Sequence, residues 1–280
     1  KKQQLITIGG EYVFNPKTRL KAEVAMSNYD INLFSSKDKS NDRAFATKLQ
    51  FIKDAARINL LKKPVLMQTK LGYEFVQGRL RPIERLRNIE FLRDWSLPYD
   101  ISLADEQIIN AGVKFADTSG NLVQYDVTNY NRSDKYNGLR HTVNTYNSYK
   151  GWKLTNQFIV TTINNPVQQG TFVRPTVDLK KELSRLRKMQ VGIKYNSESN
   201  KLRDKKSDTL NAFSYAFSVW ELYVRSNPEK ANRWGVSYFS RTDHLPTKDK
   251  LERADRSDNY NLFTDLLKSE KHQFKLNLTY

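Results

Sequence analysis

Polar and apolar residues alternate with a period of two in run after run of this chain, and turn-forming residues separate the runs. In residues 212–220, AFSYAFSVW, Phe213, Tyr215, Phe217 and Val219 fall on one side of an extended backbone, with Ala212, Ser214, Ala216 and Ser218 on the other. The same alternation runs through Leu20, Ala22, Val24 and Met26, through Trp234, Val236 and Tyr238, and through Phe274, Leu276, Leu278 and Tyr280. Counting such runs predicts about fourteen strands, near 4–14, 18–34, 43–53, 65–78, 108–117, 121–130, 138–147, 152–163, 171–179, 189–196, 209–225, 233–242, 258–267 and 272–280.

Short connections are expected at 15–18, 118–121, 147–151, 227–230 and 269–271, where Asn, Gly and Pro supply turn conformations. Longer polar ones are expected at 35–43, 79–107, 131–137, 164–170, 196–208 and 242–258. Residues 54–63 and 178–189 carry apolar residues at helical spacing and read as short helices or twisted hairpins, and IEFLRDW within 79–107 reads as a further strand. The fold class is therefore all-β: an antiparallel up-and-down sheet of about 14 strands, as an outer-membrane-type β-barrel or part of one, with a soluble sheet or sandwich as the alternative. No linker divides residues 1–280, so a single β domain is expected. The chain starts at Lys1-Lys2 and stops at Tyr280 inside an alternating run, which reads as a mature protein or a piece of a longer one.

Charge narrows the partners without choosing among them. The 47 Lys and Arg against 30 Asp and Glu give a formal net charge of +17, which favours acidic surfaces. The densest basic stretches supply Lys180, Lys181, Arg185, Arg187 and Lys188, then Lys201, Arg203, Lys205 and Lys206, as candidate polyanion contacts. An anionic glycan or lipopolysaccharide suits them; nucleic acid is disfavoured, because no RRM, KH or OB-fold signature accompanies the basic residues. Inward Lys and Arg in a closed barrel would instead favour anions in a pore.

Chemistry is sparse. The absence of cysteine excludes disulfides and thiolate metal sites. His141, His244 and His272 are scattered, with no HxH or HExxH spacing, and Gly9-Gly10 lacks the order of a phosphate loop. The acidic loops at 35–43 and 253–259 interleave Lys and Arg with their carboxylates, which weakens a calcium reading. No cofactor or metal is expected, and the chain reads as non-catalytic. The anchoring residues proposed from the alternation are Phe213, Tyr215, Phe217, Trp234, Tyr238, Phe274, Leu276, Leu278 and Tyr280. Some strands offer a continuous apolar side, such as Val65, Met67, Thr69, Leu71, Tyr73 and Phe75, whereas Leu139, His141, Val143, Thr145 and Asn147 do not, so the predicted lipid band is patchy.

The stretches GGEYVFNPKTRLKAEVAMSNYD, NRWGVSYFSRTDHLP and ADRSDNYNLFTDLL resemble in texture the large β-rich envelope proteins of Bacteroidota-type bacteria. The closing QFKLNLTY is similar to the C-terminal aromatic strand of outer-membrane barrels. The resemblance implies an outer-membrane or cell-surface location, a structural or binding role, and the membrane or another envelope protein as partner. It supplies no functional residue.

Overall fold

In a computed structural model, which describes residues 1–30, 42–60, 63–98, 102–266 and 272–280, nearly the whole chain is extended. The strands are β1 (Lys2–Asn15), β2 (Thr18–Asp30), β3 (Arg43–Leu60), β4 (Lys63–Val76), β5 (Glu106–Ala116), β6 (Leu122–Arg132) and β7 (Asn137–Tyr149). They continue with β8 (Trp152–Asn164), β9 (Gln168–Leu183), β10 (Met189–Asp204), β11 (Tyr215–Arg225), β12 (Arg233–Thr247), β13 (Lys250–Leu266) and β14 (Phe274–Thr279). They form one 14-stranded antiparallel sheet in chain order. Among the described residues β1 and β14 are the ends of that order, and the sheet is not closed. The expected strand number and topology are observed.

Several local expectations are corrected. Residues 54–60 continue β3 past an irregularity in register between Lys53 and Ala56, and 178–183 continue β9 into one 3-10 turn at Ser184–Leu186. Helical spacing misleads at both places because ladder hydrogen bonds with neighbouring strands outweigh a weak local preference. IEFLRDW forms no strand; it contains one helical turn, α1 (Phe91–Asp94). Most of 242–258, expected as a loop, is paired strand: β12 and β13 run on to a tight turn with Thr247 opposite Lys250. Similarly, β10 extends through most of 196–208, to Asp204. These strands are polar on both sides, so no apolar alternation marks them. The calcium-like loop at 35–41 and the turn at 269–271 lie outside the described residues.

Contacts divide the chain into two compact units. One comprises Lys1–Ala116, Gln124–His141 and Thr161–Gln169, and the other Asp117–Val123, Thr142–Val160 and Gly170–Tyr280. In the first, the side chains that share a face follow from register. Val76, Ala44 and Leu80 form a small buried cluster on the face that also carries Glu11, Lys48 and Glu74. Among the described residues, 77–98 and 102–104 cover that face and nothing covers the opposite one. The strand glycines Gly72, Gly112, Gly192 and Gly235 each lie beneath the side chain of a neighbouring strand: Asn110, Asp126, Tyr223 and Phe263 respectively. A Cβ at any of them would collide with that side chain, so these backbone positions serve as seats for larger neighbours.

Candidate functional site

In the first unit the uncovered face is an apolar field. Register places Ile6 beside Met26 and Phe45, and Ile8 beside Val24, Thr47 and Phe75. The next two ranks are Gly10, Ala22, Leu49, Tyr73 and Ile109, then Tyr12, Leu20, Phe51, Leu71 and Ala111. Ile8 is 73% exposed, Leu71 54% and Ile109 50%, so among the described residues no second layer covers them. In the second rank Thr47 Oγ1 donates to the Glu23 carbonyl at 3.3 Å. Above the field, Gln4, Asn28 and Arg43 form a polar rank; below it comes a mixed rank of Thr18, Lys53, Thr69 and Val113. Four ranks two residues apart span roughly 20 Å along the strands, and five strands span roughly 20 Å across.

The opposite face is charged and capped. Residues 77–98, which leave β4, and 102–104, which lead into β5, are held in place by hydrogen bonds to the sheet and to the start of β5. Gln77 Oε1 accepts from the Phe45 amide at 2.8 Å, the Arg81 amide donates to Ser27 Oγ at 3.1 Å, and Gly78 N donates to Asp105 at 2.9 Å. At the centre Arg87 bridges Glu74 and Glu106, its Nη2 lying 2.7 Å from Glu106. Arg132, whose side chain is only 2% exposed, pairs with Asp134 at 2.8 Å and donates to the Ser102 carbonyl at 2.7 Å. These three carboxylates and two guanidiniums compensate one another where an isolated charge would be costly.

Aromatic packing completes the cap. Phe91, Trp95 and Tyr136 all pack around Tyr130, with ring centroids 5.3, 5.2 and 5.4 Å away. The Tyr136 hydroxyl donates to the Trp95 carbonyl at 2.6 Å, and burial pushes that phenol above its ordinary pKa. Arg140 lies 4.3 Å from the Trp95 ring centroid and pairs with Asp94. Hydrogen bonds from Arg132 hold the Asp134 carboxyl below its usual range. The sequence reading missed this cap; the available signal was the density of Arg, Glu and aromatic residues in 79–107, too long a stretch to be an idle loop.

In the second unit, register sorts the proposed anchoring residues onto two faces. Trp234, Tyr238, Phe274, Leu276 and Leu278 share a face with Trp220, Leu222, Tyr260 and Leu262. Tyr280 joins them by exchanging both backbone hydrogen bonds with Tyr260. Tyr215 and Phe217 project from the other face, the Tyr215 hydroxyl bonding Glu198 at 3.1 Å and Arg241 stacking 4.5 Å over Phe217. Phe213 precedes β11 and is 78% exposed.

On the first of these faces a row of aromatics crosses five strands. Tyr195 faces Trp220 with centroids 4.3 Å apart, Tyr238 lies one pair further toward Arg225, and Tyr238 faces Tyr260, which faces Tyr280. On one side of the row are Ile193, Leu222, Val236, Leu262 and Leu278. On the other are Ser197, Ser218, Ser240 and Asp258, and the strands continue there with charged residues. The Tyr238 hydroxyl points across this boundary to Asp258 at 2.8 Å.

The nine basic residues singled out earlier occupy opposite ends of β10. Lys180, Lys181, Arg185, Arg187 and Lys188 lie around the turn before it, where Lys181 sits 5.2 Å over the Trp152 ring and Lys188 pairs with Glu229 at 3.3 Å. Lys201, Arg203, Lys205 and Lys206 lie at its far end, where Arg203 is held by Asp208. Along β10 Lys188 and Lys201 are about 40 Å apart, so the nine residues form two patches. Compared with protein-family models, curated proteins and solved structures, the chain matches none.

Proposed function

We propose that this chain is wall material of an outer-membrane-type β-barrel: a non-catalytic structural or binding component of the bacterial envelope, with its apolar faces toward lipid. The observation that carries this reading is the uncovered apolar field of the first unit, with a polar rank above it and Lys53 beneath it. Its footprint, about 400 Å² before side-chain relief is counted, lies within the roughly 300–600 Å² of the largest patch on a soluble monomer, a patch that is often functional. A height of about 20 Å fits the apolar band of roughly 25 Å on a barrel wall. In the second unit the aromatic row, with polar strand beyond it, has the chemistry of a lipid–water boundary, where rings favour the interface and hydroxyls reach water.

The capped face would then look into the barrel, where charges remain near water or paired. Lys201, Lys205 and Lys206 lie beyond the aromatic row, placed to meet anionic glycan or lipopolysaccharide headgroups. Tryptophan quenching tests the reading. In vesicles whose acyl chains carry bromine, single-tryptophan variants retaining Trp220 or Trp234 are quenched, while one retaining Trp95, 3% exposed within the cap, is not. Equal emission from all three, with the protein monodisperse in detergent-free buffer, overturns it.

A further inference from the structure

We propose that two neighbouring hairpin tips, residues 149–152 and 181–188, bind the phosphates of anionic phospholipid headgroups. Lys150, Lys181, Arg185 and Arg187 are the cations of this site, and Tyr149 and Trp152 are the rings seated among the headgroups. The inference rests on the barrel-wall reading, which brings a membrane surface to this end of the strands. Hydrogen bonds join the two tips: the Glu182 amide donates to the Gly151 carbonyl at 2.8 Å, and Lys181 Nζ donates to the Lys150 carbonyl at 2.6 Å. Gly151 holds a φ of +80°, and a Cβ there would come within 2.9 Å of the Glu182 carbonyl oxygen, so this close approach needs glycine.

Charge and apolar surface coincide at these tips. Tyr149 is 69% exposed, Trp152 48% and Leu186 54%, where a turn in water ordinarily carries small polar residues. Lys150 Nζ lies 5.1 Å from the Tyr149 ring centroid and Lys181 Nζ 5.2 Å from that of Trp152, so each ring keeps a cation beside it. Glu182 and Glu229 are already engaged, by Lys153 at 3.1 Å and Lys188 at 3.3 Å. Among the described residues, none of Lys150, Lys181, Arg185 and Arg187 has a carboxylate partner. Uncompensated cations beside exposed rings match a layer of phosphates over hydrocarbon, where rings suit the boundary and cations the negative surface. The position agrees. Along β10, Met189 and Tyr195 are roughly 20 Å apart, with Val191 and Ile193 between them on the face of the aromatic row. If that row marks one boundary of a lipid band roughly 25 Å tall, the tips lie at the other.

Lipid-selective quenching tests it, with variants of the full chain that keep either Trp152 or Trp220 as their one tryptophan. Vesicles of phosphatidylcholine with a minor fraction of phosphatidylglycerol carry bromine on the acyl chains of one lipid or the other, at the same mole fraction. Trp152 is expected to be quenched more by brominated phosphatidylglycerol, with an association preference of about fivefold or more, and Trp220 equally by both. Lys181→Gln with Arg185→Gln removes the preference, Lys150→Gln with Arg187→Gln lowers it, and Lys181→Arg keeps it. Inorganic phosphate, compared with chloride at equal ionic strength, leaves it in place. Quenching at Trp220 without a lipid preference at Trp152 overturns the proposal and leaves the barrel-wall reading standing. A preference that survives both double substitutions overturns it too, and one abolished by inorganic phosphate makes this a site for the free ion instead. No quenching of Trp220 by either lipid overturns the barrel-wall reading, and this proposal with it.

Discussion

Tyr238 stands directly opposite Tyr260 across β12 and β13, ring centroids 5.1 Å apart, and its hydroxyl reaches past that pair to Asp258. The pair divides two chemistries on one face of the same strands: Val236 and Leu262 follow in one direction, Ser240 and Asp258 in the other. A ring at that position is apolar in body and polar at its tip, which suits a boundary and wastes part of its chemistry anywhere else. Replacing both tyrosines by leucine is expected to leave the fold intact and to weaken retention of the folded protein in vesicles. Partitioning between vesicles and detergent-free buffer measures the effect.

Charge placed on the apolar field separates lipid from water. Leu49→Arg, in the middle rank, is expected to cost about 2–4 kcal/mol in vesicles if the face meets hydrocarbon, whereas Gln50→Arg on the charged face costs well under 1 kcal/mol. Reversible urea unfolding in vesicles gives both numbers. Equal small costs would mean the field meets water.

The cap depends on compensated charge. Glu106→Ala leaves Arg87 and the nearly inaccessible Arg132 short of a carboxylate, and breaking such a cluster is expected to destabilise the first unit by roughly 3 kcal/mol. Urea unfolding reads the loss, and hydrogen exchange across residues 77–98 locates it.

Gly138 is the floor on which Trp95 rests, since a Cβ there would come within 2.7 Å of the indole Cε3. Gly138→Ala is expected to displace Trp95 from Tyr130 and Tyr136 at a cost of about 1–3 kcal/mol. A red-shifted, more quenchable Trp95 emission is the checking measurement; Gly10→Ala, with open space, leaves it unchanged.

Acid should loosen the turn at residues 133–136. Asp134 has its pKa lowered from 3.8, first by hydrogen bonding to Arg132. A carboxyl with a depressed folded value stabilises the folded state above its unfolded value and loses that contribution as pH falls through the folded value. The loss therefore falls below about pH 4, and partial exposure of Asp134 keeps it small. Amide exchange at Tyr136, followed against pH, should rise there in the wild type and show no such step in Asp134→Asn.

The number of strands, their order and their antiparallel sense were legible because a period of two and turn residues are local signals. Strand polarity was legible too, as in Leu20, Ala22, Val24 and Met26. What stayed hidden depends on partners remote in the chain. Phe217 and Tyr238 both read as large aromatic positions of alternating strands, and only the pairing of Phe217 with Asp243 and of Leu222 with Tyr238 assigns them to opposite faces. A shift of one residue in register would have reversed that assignment. The charged hairpin of β12 and β13 was read as loop because ladder hydrogen bonds run through the backbone and leave no mark on side chains.

By itself, then, the sequence determined a sheet of amphipathic antiparallel strands without recognisable catalytic motifs, since these follow from residue type and spacing along the chain. Only the tertiary structure decided which faces stay open, which one residues 77–98 cover, and how Arg87 and Arg132 come to share Glu106. Register and long-range ion pairing join residues dozens of positions apart, and no local pattern encodes their distance.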